Sequence, residues 1–400
     1  TIEVAQKGSA GIYADNISSQ ANTQSEVTNT GLVKMTAGDS VGIIGKKSKV
    51  TNNATGTKGI EISGAGSAGI LATDNSEVIN LGRIEGSTGT SLVGISVDKT
   101  SIVTNSGTIT MNTTSNTGIS SKGGAVTNNG TITLKGDTST GISSENGDVT
   151  NSATTGIIEV KNGKSVGIYS KLAGSKDKTI SNAGKISLET PTGLTPTPEK
   201  SAAIYSLLDS GSGKLTTTNS GTIEVAQIGS AGIYAKNNGT NNTNSIVINS
   251  KLIEVKKESS AAILGETSTI TNSGTGADGI VLTAKKTAGI IASSNSVVSN
   301  TGRIETSTVS PTAASEGLVG ISLNNSQGTN SGNITLGTAY STGMFGVATS
   351  TLTNEGSITG TKVFAVGMAG KASTVTNKKT ITLDNKNSTG MFGENNSTLL

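Results

Sequence analysis

Aliphatic residues recur along this chain in short stretches that alternate with polar residues, as in strands with one buried face. One stretch reads Ser/Thr-x-Gly-Ile, and 15 copies are present when close variants are included. Its isoleucine, or a methionine in its place, lies at residues 12, 43, 70, 95, 119, 142, 168, 204, 233, 263, 290, 321, 344, 368 and 391. Such regular recurrence indicates an internal structural repeat.

A second stretch, Val-Thr-Asn, follows each of the first 14 copies, and in 12 of them the residue two places before the asparagine is aliphatic. Thr217 and Gly328 are the exceptions. We expect the asparagines to form an internal ladder of hydrogen bonds from rung to rung; the clearest members are Asn105, Asn128, Asn151, Asn182 and Asn219. Ten of the 14 are followed two places on by glycine, as at Gly107 and Gly130, which predicts a corner with positive φ.

A third stretch, of the type Gly-Thr-Ile-Thr-Met, completes the repeat, whose length varies from 23 to 36 residues. Three short strands and three corners fill that length. One such rung cannot bury its apolar side alone, but stacked rungs cover each other. The sequence therefore predicts an all-β fold, a parallel β-helix of about 15 three-stranded rungs that continues through residues 1–400.

A longer duplication overlies the short repeat. Residues 1–16 match residues 222–237 at 14 of 16 positions, and Gly82-Arg83-Ile84-Glu85 reappears as Gly302-Arg303-Ile304-Glu305. We interpret residues 1–221 and 222–400 as two copies of one block. Duplication of whole blocks suits the building of length better than the building of a single active site.

Composition removes several classes of function. The chain is 32% hydrophobic and 2% aromatic, which alone would suggest disorder, but the regular pattern argues against that. It has no histidine or cysteine, so histidine-dependent nucleophilic catalysis, disulfides and the usual zinc sites are excluded. Its net charge of +3 comes from scattered residues and does not predict binding to nucleic acid. We predict no cofactor.

A polysaccharide-acting β-helix enzyme is the competing interpretation. It would need an outward cluster of carboxylates. Stacked pairs are available in the third strand, Glu61 with Glu85 and Glu224 with Glu254. Solvated glutamates explain these pairs more simply, so we predict that the chain is not an enzyme.

Insertions in three consecutive rungs give the best candidate for a binding site. They cover Lys171–Lys178, Leu208–Lys214 and Lys236–Asn244, and we expect them to lie side by side as a protrusion near 171–246, with the proline-containing segment Thr190–Lys200 nearby. Loops on a rigid scaffold often carry recognition; tolerated insertion without a role is the alternative. The candidate contact residues are Tyr169, Tyr205, Tyr234, Lys171, Lys178, Lys214 and Lys236. Lone insertions at Asp15–Glu26 and Thr306–Glu316 are weaker candidates.

The Ser-x-Gly-Ile-Tyr and Val-Thr-Asn-x-Gly-Thr-Ile patterns resemble the passenger regions of bacterial autotransporter adhesins, especially the very large fusobacterial ones. The resemblance implies a right-handed β-helix delivered to the cell surface by type V secretion, with a signal sequence and a C-terminal outer-membrane barrel outside this segment. It also implies a monomeric rod that mediates adherence to host cells or other bacteria through a protein or glycan receptor. A structural stalk without a ligand is the remaining alternative.

Overall fold

The computed structural model of the chain describes residues 1–17, 24–191, 200–307 and 309–400. These residues form a right-handed parallel β-solenoid with three sheets, so the predicted fold class is confirmed. Within the described residues the only helices are two three-residue 3-10 turns, Asn242–Asn244 and Ala314–Glu316. Neither turn has the length or the apolar character needed to cross a lipid bilayer. The segment Thr190–Lys200 lies largely outside the described residues, as does the middle of Asp15–Glu26.

The described residues fall into two compact units, and the first comprises Thr1–Ala173 and Lys178–Thr192. It contains seven complete turns. Its first sheet consists of Ala10–Asp15, Val41–Lys46, Ala68–Thr73, Val93–Val97, Thr117–Lys122, Thr140–Glu145 and Val166–Ala173. Its second sheet consists of Ser25–Asn29, Ser48–Asn52, Glu77–Asn80, Ile102–Asn105, Val126–Asn128, Val149–Asn151 and Lys178–Asn182. Its third sheet consists of Ile2–Val4, Leu32–Met35, Gly59–Ile62, Arg83–Gly86, Thr108–Met111, Thr131–Leu134, Ile157–Val160 and Lys185–Leu188.

The second unit comprises Gly174–Asp177 and Gly193–Leu400 and also contains seven complete turns in its described residues. Its first sheet consists of Ala202–Ser210, Ala231–Asn237, Ala261–Glu266, Ala288–Ser293, Val319–Asn324, Thr342–Val347, Val366–Lys371 and Thr389–Glu394. Its second sheet consists of Leu215–Asn219, Ser245–Asn249, Thr269–Asn272, Val297–Asn300, Gln327–Asn330, Thr351–Asn354, Thr374–Asn377 and Thr398–Leu399. Its third sheet consists of Thr222–Val225, Ile253–Val255, Ile280–Leu282, Arg303–Thr306, Asn333–Leu336, Ser357–Gly360 and Ile381–Leu383.

The core of each unit is built from columns of equivalent residues. In the first unit the isoleucines from Ile43 to Ile168 are paired in register and fully buried, as are Ile204 to Met368 in the second unit. Complete burial of such a side chain stabilises the fold by about 1.5–3 kcal/mol. Because every rung repeats the column, few large side chains are enough to form a continuous core.

Buried asparagines form a hydrogen-bonded ladder in each unit. The Nδ2 of each one donates to the Oδ1 of the next at 2.6–2.9 Å. The ladder runs from Asn29 to Asn182 in the first unit and from Asn219 to Asn377 in the second. All the donors point towards the following rung, so each amide between the two ends of a ladder has a defined partner on both sides.

The glycines that follow the asparagines do not adopt the positive φ that the sequence suggested. Gly107 and Gly130 are not among the residues with left-handed backbone. They are glycine for a different reason: a Cβ on Gly107 would overlap the carbonyl oxygen of Gly82, and one on Gly130 would overlap that of Gly107. The close approach of successive rungs therefore excludes a side chain at Gly107 and Gly130.

A volume exchange explains why Gly328 interrupts the aliphatic column of the second sheet. The neighbouring inward position of the first sheet is usually small, as at Ala72 and Gly346, but in this rung it is Leu323. Leu323 is fully buried, and a Cβ at Gly328 would lie 2.7 Å from its Cδ1. In this rung the large residue therefore lies in the first sheet and the small one in the second, the reverse of the usual arrangement.

We predict that Asn128→Ala weakens the first unit by about 1–3 kcal/mol, because it leaves the Asn105 donor and the Asn151 acceptor buried without their ladder partner. Denaturant unfolding followed by circular dichroism would measure the loss. Thr127→Ala, at the adjacent outward position, is the control. Equal stability of the two variants would contradict the structural role of the ladder.

We predict that Gly328→Val costs about 1–3 kcal/mol through overpacking against Leu323. Leu323→Ala alone should also destabilise, by leaving a cavity. The double variant Leu323→Ala/Gly328→Val restores the more common arrangement, so its loss should be smaller than the sum of the two single losses. Additive losses in denaturant unfolding would disprove the volume exchange.

Candidate functional site

Three strands of the first sheet are longer than the others. Val166–Ala173 has eight residues, Ala202–Ser210 nine and Ala231–Asn237 seven, against five or six elsewhere. The predicted loops therefore begin later than expected, and Lys171, Leu208 and Lys236 lie in strands. The reason is that alternation continues, with Leu172, Leu208 and Asn237 buried on the inward side.

The loops beyond these strands are joined by hydrogen bonds within the second unit. The amide of Gly174 donates to the Ser210 carbonyl at 3.1 Å, and that of Lys214 to Asp177 Oδ1 at 2.9 Å. The amide of Asn238 donates to the Leu208 carbonyl at 2.9 Å. We define the loop cluster as Gly174–Asp177, Asp209–Lys214 and Asn237–Asn244.

The last segment of the loop cluster is also held from the opposite side. The Asn242 side chain donates to the Asn295 carbonyl at 2.6 Å, and Thr269 Oγ1 donates to the Asn242 carbonyl at 3.2 Å. Asn241 accepts the amide of Thr243 at the start of the 3-10 turn. The loop cluster is therefore an ordered surface that a partner can bind without a large loss of chain entropy.

An aromatic pair lies on the outer face of the strands that carry the loop cluster. The rings of Tyr205 and Tyr234 are stacked, with centroids 4.8 Å apart and planes at 6°. Tyr234 donates its hydroxyl to Glu266 Oε1 at 2.6 Å, and Lys236 Nζ lies 3.7 Å from the other oxygen of Glu266. Burial, with the hydrogen bond to Glu266, raises the pKa of Tyr234, so its phenol remains a donor.

The structure also places the other candidate contact residues. Tyr169 is half-buried and in register with Ser143 of the first unit, and Lys171 is in register with Glu145. Lys178 begins a strand of the second sheet, with its Nζ 3.2 Å from Asp148 Oδ2. Lys214 is exposed in the loop cluster. The structure therefore brings Tyr205, Tyr234 and Lys236 together beside the loops.

A groove in the first unit was not identified from the sequence. It has a volume of about 690 Å³ and lies over the corner between the second and third sheets. Its lining includes Gly82, Gly107 and Gly130 from successive rungs, together with Leu81 and Arg83, and the insertions at Thr55–Gly56 and Thr154–Thr155 line it in the first and last of the rungs involved. The signal in the sequence was the extra length after Asn52 and Asn151.

The sequence model of one protein family matches residues 44–156 and 242–400, more than half of the chain; its description is BigA third pectate lyase-like domain. The chain belongs to this family. The stretch between the two matched segments, residues 157–241, contains the longest strands of the first sheet and much of the loop cluster. No curated protein and no solved structure matches the chain.

Membership of the BigA third pectate lyase-like domain family indicates a bacterial surface protein with a β-helix domain. Proteins with a pectate lyase-like fold are often enzymes, so the two pairs of stacked glutamates are the candidates for catalytic residues. Glu61 and Glu85 are neighbours in register, and Arg83 forms ion pairs with both. Glu224 and Glu254 are likewise bridged by Lys256, at 2.8 and 3.1 Å.

The electrostatics of Glu85 do not suit proton donation. Burial alone would raise its pKa, but hydrogen bonds from Arg83 and Asn112 outweigh burial and hold the pKa below its ordinary value. The carboxyl is therefore ionised at neutral pH, whereas glycoside hydrolysis needs a protonated acid. Among the described residues, no three acidic side chains lie close enough together to hold a metal ion.

We predict that Glu85→Gln destabilises the first unit by about 1 kcal/mol at pH 7, because Arg83 and Asn112 lose a charged acceptor. The native pKa is lowered, so this contribution is present above the ordinary value of 4.5 and is lost as the pH falls through the lowered native value. Denaturant unfolding of the wild type and the variant at pH 7 and pH 2 would measure it. Glu77→Gln, in an exposed pair with Lys49, is the control, and a pH-independent difference would contradict the prediction.

Proposed function

We propose that this chain is an adhesin segment of a bacterial autotransporter passenger, and that the loop cluster with Tyr205 and Tyr234 is its contact surface. The main supporting observation is that these loops are fixed to one another and to neighbouring strands and corners by backbone and side-chain hydrogen bonds. Family membership supports a location at the bacterial surface. The repeat pattern supports export by type V secretion.

The chemistry of the contact surface suits recognition by many weak contacts. Stacked tyrosines supply rigid apolar area with polar tips, a composition common at protein interfaces. Asn238, Asn241 and Lys214 add exposed hydrogen-bond donors. We propose a receptor on host cells or other bacteria, either protein or glycan, and a monomeric adhesin. We propose no binding to nucleic acid, because the cations are dispersed rather than gathered on one face.

We also propose that the chain is not catalytic. The pairs of carboxylates are bridged by Arg83 or Lys256, which accounts for them as elements of surface stability. The groove of the first unit has Arg83 as its charged lining residue and no carboxylate among its described lining. These features support an adhesive role over a polysaccharide-cleaving one.

We predict that the purified chain binds host or bacterial cells and that shortening the loop cluster to the length of a minimal rung removes this binding. Flow cytometry with the labelled chain would measure it. The control shortens the corner insertion Thr275–Asp278, which is outside the loop cluster. Tyr205→Ser/Tyr234→Ser should weaken binding more than about tenfold, as expected for central aromatic contacts.

Tyr13→Ser is the matched control for the tyrosines, because Tyr13 occupies the position equivalent to Tyr234 in the other copy of the duplicated block. It should bind as the wild type does. Failure of the folded wild-type chain to bind any cell would favour a structural stalk. Equal binding by the shortened variant would place adhesion elsewhere in the chain.

A further inference from the structure

Two aromatic residues of the second unit occupy backbone positions that bulky side chains rarely adopt. At the corner between the third and first sheets, Tyr340 has φ 56° and Phe364 has φ 59°. In other rungs this corner holds residues such as Asp39, Ser91 and Ser259, also with positive φ. A bulky residue there costs about 1–2 kcal/mol of backbone free energy, and such outliers concentrate at functional sites.

The two rings are stacked, with Phe364 exposed and Tyr340 half-buried. Their centroids are 4.7 Å apart and their planes differ by 5°. Phe364 retains 38% of its surface. Stacking offsets part of the backbone cost, and the edges of both rings carry partial positive charge.

The first unit shows that the fold does not need aromatic residues here. The motif Gly-Arg-Ile-Glu occurs at residues 82–85 and again at residues 302–305, so equivalent rungs can be counted from it. The positions equivalent to Tyr340 and Phe364 are then Ser115 and Thr138. They have the same positive φ, and their hydroxyl oxygens lie 2.9 Å apart in a hydrogen bond. A serine and a threonine therefore satisfy the same corner without an exposed ring.

A second change accompanies the aromatic pair. Between the third-sheet strand Arg303–Thr306 and the next first-sheet strand there are twelve residues, 307–318, where the first unit has six, 87–92. The inserted loop is anchored at Glu316, which accepts the amide of Thr312 at 2.8 Å and pairs with Lys285 at 2.9 Å. Gly317 abuts the Tyr340 backbone so closely that a Cβ would overlap its carbonyl oxygen.

Unpaired cations lie beside Phe364. Lys362 is two residues before it, and the carbonyl of Lys386 accepts its amide at 3.4 Å. Both lysines are exposed, and neither has an ion-pair partner in the part of the chain that the structure describes. By contrast, Lys285 and Lys286 of nearby rungs are paired with glutamates. Asp384, on the same rung as Lys386, is the carboxylate nearest to it along the chain.

We propose that Tyr340, Phe364, Lys362 and Lys386, with the loop Thr312–Gly317, form a second recognition site that binds acidic peptide segments of a partner protein carrying an aromatic or large aliphatic side chain. The exposed ring area receives the apolar side chain. The lysines and the ring edges attract the adjacent carboxylates. This site is separate in the sequence from the loop cluster and does not depend on its function.

The test is a selection from a displayed random-peptide library on the purified chain, with counter-selection on Tyr340→Ser/Phe364→Thr. That variant carries the residues of the first unit and relieves two strained positions, so we expect it to fold. The enriched peptides should combine Asp or Glu with Phe, Tyr, Trp or Leu. Failure to enrich any peptide against the variant, or enrichment of basic peptides, would overturn the proposal.

Synthetic copies of the enriched peptides would then be titrated by fluorescence anisotropy. Affinity should fall more than about tenfold in Tyr340→Ser/Phe364→Thr and in Lys362→Ser/Lys386→Ser, the loss expected for a central contact. Phe392→Ser, which removes another exposed aromatic residue (49% exposed), is the matched control and should bind normally. Equal affinity for all three variants would reject the site.

A readout on the wild-type chain keeps the test independent of how the variants fold. Bound peptide should protect Lys362 and Lys386 from acetylation by an amine-reactive reagent, with exposed Lys122 as the unprotected reference. Mass spectrometry would measure the protection at each lysine. Peptide binding without protection of these two lysines would place the site elsewhere and overturn the proposal.

Discussion

The register of one rung on the next is the constraint on which the rest of this structure depends. Parallel strands stack at about 4.8 Å, so each inward side chain lies directly against its equivalent in the neighbouring rungs. At the corners after Asn105 and Asn128 the backbones approach so closely that Gly107 and Gly130 have no room for a Cβ. The same spacing lets Asn128 reach Asn105 and Asn151 with 2.7 and 2.8 Å hydrogen bonds. A slip of one residue would break the columns and the ladder together.

This constraint divides the chain into positions that repeat and positions that vary. Inward positions can change only when a neighbour compensates, as Leu323 does for Gly328. Outward positions, and corners without such a close approach, are free to change, because an added residue there extends into solvent. The loop cluster, the groove of the first unit and the aromatic pair at Tyr340 and Phe364 all arise at such places. The loop cluster and the aromatic pair arise in consecutive rungs, which stacking brings side by side, whereas the two insertions at the groove are four rungs apart.

Residues 1–221 and 222–400, which the sequence suggests are copies of one block, differ at corners while their equivalent column residues stay buried. Ile119 and Met344 fill equivalent buried positions, yet the corners before them hold Ser115 and Tyr340. The insertion after Asn52 has a counterpart after Asn272, but the one after Asn151 that lines the groove has none after Asn377. Recognition surfaces can therefore be gained or lost at corners without disturbing the columns that hold the rungs together.

The sequence by itself determined the parallel β-helix, its three strands per rung and the identity of the buried columns, because stacking repeats a short-range pattern at every rung. It also indicated which rungs carry insertions. The sequence pattern predicted a positive φ at Gly107, which was wrong. Glycine is needed there because a Cβ would clash with the carbonyl oxygen of Gly82, an atom 25 residues away in the chain. Only the tertiary structure decided that Lys171 and Lys236 lie in strands, that Glu85 is held by Arg83 and Asn112, and that Tyr340 stacks on Phe364. Those outcomes depend on contacts between rungs whose separation in the chain varies, which no local pattern encodes.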